Sequence, residues 1–165
     1  MEFPNYRRTS TPVNPVHEQW MDLALEQARR ALPAGDVPIG AVVVDAAGQV
    51  ISAGFNRREA DADPTAHAEV LAIRQAAAAR GSWRLDDCTL VVTLEPCIMC
   101  AGSILLARLP RVIFGAWEEK TGAAGSLYDV LRDRRYPHEV EVITGVRVEE
   151  SVRLLREFFA AHRGE

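Results

Sequence analysis

Two short motifs thirty positions apart, His67-Ala68-Glu69 and Pro96-Cys97-Ile98-Met99-Cys100, supply three side chains of zinc-ligand type and one carboxylate. Any fold open to this chain has to carry both segments to one point. A zinc that only holds a fold together is closed by four protein ligands, whereas a catalytic zinc keeps one position free for water. Three ligands beside an acid are therefore the inventory for activating water. The other candidates for a fourth ligand, Cys88, His17, His138 and His162, stand at no paired spacing. A Cys-x-x-Cys by itself also suits thiol–disulfide exchange, but that chemistry has no use for His67-Ala68-Glu69.

The spacing predicts local geometry. Cys97 and Cys100 are one helical turn apart and share a face. At a helix N-terminus, free N–H groups and the positive dipole end favour their thiolates. His67 and Glu69, two positions apart, diverge inside a regular helix and converge only at its entrance, where Pro64-Thr65 places them. The expectation is two helix N-termini meeting at one metal. One neutral imidazole and two thiolates cancel the charge of Zn²⁺, which leaves more proton work to a base, and Glu69 is the group at hand.

The rest of the chain reads as strands alternating with helices. Residues 1–15, with three prolines, are expected to form a flexible extension, and 16–165 a single domain. Val16, Trp20, Leu23, Ala24, Ala28 and Leu32 predict a helix over 16–32, which Pro33-Ala34-Gly35-Asp36 stops. Strands are expected at 37–45, 49–56 (its hairpin partner across Ala46-Ala47-Gly48), 88–95, 111–116 and 140–144. Helices are expected from about 66 to 80 with Thr65 as N-cap, after Pro96 at the first helical position, and over 149–162, with a helical turn at 127–131. That order predicts a three-layer α/β/α sandwich around a mixed sheet of about five strands. Glu95 reads as a helix-capping or structural residue beside Pro96, with a proton carrier as the alternative, Cys88 as structural, Trp20 and Trp83 as core or interface, and Trp117 as a candidate stacking surface. The Arg132–Arg135 run suits either phosphates or a solvated face.

Composition narrows the setting. No apolar run approaches the roughly 18 residues of a membrane span. The first residues lack the apolar stretch of a secretory signal, so the expected compartment is the cytoplasm, with no membrane partner. The net charge of −4 argues against indiscriminate nucleic-acid binding but leaves room for a local basic face.

The two metal motifs resemble those of the zinc-dependent nucleoside deaminases, H-x-E followed by P-C-x-x-C, a pattern that serves as a standard description of that superfamily. VPIGAVVV (37–44), Phe55-Asn56-Arg57, DPTAHAE (63–69), TLEPCIMCAGS (93–103), RVIFGA (111–116) and KTGAAGSLYDVL (120–131) are similar to the bacterial tRNA-specific adenosine deaminases. The resemblance implies a cytidine deaminase-like fold and hydrolysis of wobble adenosine to inosine by a water activated at zinc. By resemblance His67, Cys97 and Cys100 bind one zinc per subunit, and Glu69 is the proton shuttle. Asn56, the Ala68 backbone, Glu118 and Lys120 are the expected substrate contacts, the partner is a tRNA anticodon stem-loop, and the enzyme is a homodimer. Relatives commonly carry Asp at the position of Glu118, and the acidic 59–63 stretch is unlike a nucleic-acid surface. The alternatives are a deaminase of a free base or nucleotide (guanine, cytosine or cytidine type), which shares the metal motif, and a non-catalytic RNA-binding zinc subunit, which has no need of Glu69.

Overall fold

Continuous β-branched runs and Ala-rich helical stretches build one sheet packed on both faces. The computed structural model describes residues 12–163; most of the expected extension, 1–11, lies outside the described residues. In chain order the elements are α1 (Pro15–Arg29), a 3₁₀ turn (Leu32–Ala34), β1 (Gly40–Val44), β2 (Val50–Phe55), α2 (Arg58–Asp61), α3 (Ala68–Arg80), β3 (Thr89–Leu94), α4 (Ile98–Leu106), β4 (Arg111–Ala116), β5 (Glu141–Ile143) and α5 (Val148–Ala161). The sheet order is β2-β1-β3-β4-β5. β1 pairs antiparallel with β2 and β3, while β3, β4 and β5 run parallel, so the sheet is mixed and five-stranded as expected.

Strand alternation divides the core. Ala41 and Val43 of β1 face a cluster with Ala68 and Ala72 of α3 and Ile104 of α4, and Val42 and Val44 face Met21, Ala24 and Leu25 of α1. A third cluster joins Leu94 and Ala116, at the ends of β3 and β4, to Leu155 of α5. Gly54 fixes how α3 sits on β2: a Cβ there would stand 2.5 Å from the Ala68 carbonyl oxygen and 2.9 Å from the Ala72 nitrogen. Only glycine allows this approach, and it sets the first turn of α3 beside the end of β2.

Several local expectations are corrected. α1 begins at Pro15, capped by the Asn14 side chain, which accepts from the Val16 N–H at 2.9 Å. Its buried stripe is Met21, Ala24, Leu25 and Ala28, while Val16 and Leu23 are exposed and Leu32 falls in the 3₁₀ turn. Thr65 does not cap α3, because its N–H and Oγ1 both donate to Asp63, and the N-cap passes to His67. Pro96 precedes the N-cap of α4, which is Cys97. Residues 127–131 are not helical: Asp129 bridges to Ala124, and the Leu127 and Tyr128 N–H groups both donate to the Gly122 carbonyl. Trp83 is 59% exposed, lying under the Arg84 and Arg108 guanidinium groups.

Candidate active site

α3 and α4 begin side by side, and neither start is capped by its own side chain. The N-cap residues are His67 and Cys97, both in extended backbone, and each is thereby free to aim its side chain at the other. Cys100 follows one turn into α4 and Glu69 sits at the second helical position of α3. His67 Nδ1 lies 3.6 Å from Cys97 Sγ and 3.5 Å from Cys100 Sγ. Zn–S bonds of about 2.3 Å and Zn–N bonds of about 2.0–2.1 Å give a tetrahedral N···S edge of about 3.6 Å. The two N···S separations are therefore those a tetrahedral zinc requires, and all three donors lie within 4.8 Å of one another.

No fourth ligand joins them among the described residues. Cys88 is fully buried in the core, with its thiol pushed up to about 11 by burial and by Asp87. His17 stacks on Trp20, His138 bonds the Leu109 carbonyl and His162 bonds the Phe158 carbonyl. The donor set fits an open, catalytic metal site.

The charges respond to one another. The Cys100 S–H and His67 hold the Cys97 thiol down to about 4. The Cys97 thiolate in turn raises His67 above its usual range. Cys100, bonded to Cys97 and buried, is driven strongly upward. Glu69 is 4% exposed, its Oε2 accepts from Cys100 Sγ at 3.1 Å, and burial raises its pKa. A buried carboxylate displaced upward holds a proton more readily than an exposed one, as acid–base work requires.

Beside the cluster lies a cavity of about 250 Å³ whose lining includes Asn56, His67, Ala68, Glu69 and Glu118. That is just below the 300–1,000 Å³ of pockets that hold drug-sized ligands, and suits one base rather than a whole nucleotide. Asn56 is 4% exposed; its Nδ2 donates to the Val37 carbonyl and its Oδ1 accepts from Arg58 N. One N–H and one lone pair of that amide remain to meet a ligand edge. Ala68, first in α3, has no helical acceptor for its N–H. Glu118 is buried, with Oε1 taken by the Lys120 N–H. Lys120 itself is exposed and does not line the cavity.

Other lining residues carried no sequence signal of function. Leu155 and Phe159 reach in from α5, as the apolar stripe of an ordinary amphipathic helix. Asp36, read as part of a helix stop, is 2% exposed and accepts from the Glu59 and Ala60 N–H groups, fixing α2 and so Arg58 at the cavity edge. Within the acidic 59–63 stretch Asp61 forms a two-pronged pair with Arg57, and Asp63 accepts from the Thr65 N–H and hydroxyl. Trp117 packs edge-on against Phe114, with ring centroids 4.9 Å apart. In the arginine run, Arg132 and Arg135 are bound to Asp129 and Asp133.

The family model for the cytidine and deoxycytidylate deaminase zinc-binding region matches residues 14–116. A tRNA-specific adenosine deaminase of Bacillus subtilis is 45% identical over 142 residues, covering 86% of this chain and 88% of its own. One from Haemophilus influenzae is 46% identical over 148 residues, covering 90% and 86%. Among solved structures, a tRNA:A34 deaminase that edits A to I at the wobble position of transfer RNA matches with a TM-score of 0.79 at 42% identity, over 83% of this chain and 99% of that one. A guanine deaminase from Nitrosomonas europaea matches at 0.74 with 28% identity, over 90% and 86%.

Proposed function

The chain belongs to the zinc-dependent cytidine and deoxycytidylate deaminase family, among its tRNA-specific adenosine deaminases, and we propose that it hydrolyses the wobble adenosine of tRNA to inosine. The observation that carries this reading is a three-donor cluster and a buried carboxylate at the wall of a base-sized cavity. His67 Nδ1 and the Cys97 and Cys100 sulfurs hold one zinc per chain. When bound, the metal supplies a water acidified toward neutral pH.

Glu69 takes a proton from the attacking water and delivers it to a purine ring nitrogen as the new C–O bond forms at C6. The same carboxylate then transfers the second proton to the amino group, the C–N bond breaks, and ammonia leaves. Asn56, through its spare N–H and lone pair, and the Ala68 N–H orient the base. Glu118 lines the same space. Lys120, outside the cavity, is placed to meet a phosphate rather than the base. The base has to leave its stack to enter, which an anticodon loop allows.

A homodimer fits the surface. Ile98 and Leu106 of α4 are 56% and 68% exposed, and Leu127 and Tyr128, on the loop bridged to the start of α4, are 53% and 51% exposed. A second copy of the chain covers this apolar face in the proposed enzyme. No helix of the described residues is long and apolar enough to cross a membrane.

Incubation with unmodified tRNA bearing a wobble adenosine should give inosine, read as guanosine on reverse transcription. Ammonia released from free guanine or cytidine, with the tRNA unchanged, would assign the protein to free bases. A tRNA complex with neither substrate converted would make it a binding subunit.

A further inference from the structure

Glu95 takes no part in the chemistry above, yet its carboxylate is 2% exposed and accepts four hydrogen bonds. Oε1 receives the Glu118 N–H at 3.1 Å and the Ser126 hydroxyl; Oε2 receives the Ala124 and Ser126 N–H groups, each at 3.0 Å. A carboxylate offers about four lone-pair sites, and all are filled. No acceptor capacity remains for a travelling proton, so Glu95 is not a second shuttle. None of its four donors is a cation. They all come from one loop, 118–126, which turns its N–H groups inward around the anion.

The same loop is fastened to the start of α4. The Ala123 N–H donates to the Pro96 carbonyl at 2.8 Å, and Gly122 bridges to Cys97. A Cβ on Gly122 would fall on the Glu95 carboxylate, so the chain passes there without a side chain. The loop then presents Glu118 and Thr121 to the cavity.

We propose that Glu95 is a positioning residue, whose carboxylate folds the 118–126 loop into one wall of the base cavity and thereby sets how tightly the substrate base is held. This rests on reading the cavity as the base site. Cys97 meets the loop through its backbone bridge to Gly122, whereas His67, Glu69 and Cys100 are carried by α3 and α4, which are seated on the sheet. Substitution at Glu95 therefore acts on base binding more than on proton transfer.

The chain offers its own reporter, because Lys120, in the loop and exposed, is its only lysine. Glu95→Gln turns an amide NH₂ toward at least one backbone N–H donor and breaks at least one of the four bonds, while the Ser126 hydroxyl can reverse its role. The expected results are cleavage by a lysine-specific protease about tenfold faster, zinc content unchanged, KM for a tRNA stem-loop raised about tenfold, and kcat within about threefold of the parent. Ser126→Ala, which removes one donor, should give smaller changes in the same direction and add nothing to Glu95→Gln.

Unchanged cleavage and KM in Glu95→Gln would overturn the proposal, as would a fall in kcat with loss of zinc at constant KM. If Glu95→Gln does not fold, Ser126→Ala decides alone: faster cleavage with raised KM supports the proposal, and parental values for both overturn it. A parent protein that edits no tRNA, with Lys120 still unprotected in the variant, would overturn the substrate reading and uphold the loop's dependence on Glu95.

Discussion

At the scale of single residues, Glu69 and Cys88 show how burial assigns opposite fates to ionisable groups. Glu69 is buried at the wall of a cavity beside the His/Cys/Cys cluster, where the proposed mechanism uses its proton. Glu69→Gln should keep zinc, measured by metal analysis, and lose about 10²–10⁴-fold in turnover, the usual contribution of a positioned acid–base group. Cys88 is buried in the core, and its raised pKa keeps it a thiol. At pH 8 no cysteine of the zinc-loaded protein should be alkylated quickly, and chelation should expose one fast thiol, Cys97, with Cys88 and the buried Cys100 remaining slow. Its contribution to stability is complete below pH 9 and declines as pH rises from there toward about 11, because the unfolded thiol ionises first. Fast alkylation of Cys88 after chelation would contradict this packing. The His67, Cys97 and Cys100 cluster and the Glu69 carboxylate beside it were legible because their side-chain chemistry and spacing are restrictive. Glu95 was legible only as structural, since its donors lie 23 to 31 positions downstream and only the folded loop brings them back.

At the scale of elements, the approach of α3 to β2 sets the distance between Asn56 and the metal donors. Gly54→Ala would press a methyl against the backbone of α3, and overpacking of this kind costs about 1–3 kcal/mol. The expected result is a lower midpoint in urea, with weaker zinc retention because His67 moves with the helix start. A variant of parental stability would show that α3 can slide. The strands were readable from the sequence, because β1 and β3 are continuous apolar runs and Gly48 with its neighbours marks the hairpin turn. Helix starts were displaced by two residues where a plausible cap, Thr65, found a closer partner in Asp63. The stretch 117–139 was the least readable, since bridges to distant backbone and the buried Glu95 carboxylate order it rather than any periodicity.

At the scale of the whole molecule, the exposed α4 face and the metal site meet, because Ile98 directly follows Cys97. Leu106→Glu should shift light-scattering mass from dimer to monomer; a parent protein that is already monomeric would remove the basis for the proposed assembly. Burying that face would also shield the helix start that carries the metal donors. The two uncapped helix starts carry a consequence for folding. Residues 67 and 97 are far apart in the unfolded chain, and a zinc held by both is a reversible cross-link that closes the intervening segment, much as a disulfide would, while supplying order that neither N-cap provides alone. Zinc availability is then part of the folding equilibrium: at free zinc one hundred times its Kd, stability should rise by about 2.7 kcal/mol. For a chain of this size that corresponds to a melting temperature about 5–10 °C higher than in chelator, and an unchanged melting temperature would mean that the two helix starts are already ordered without the ion.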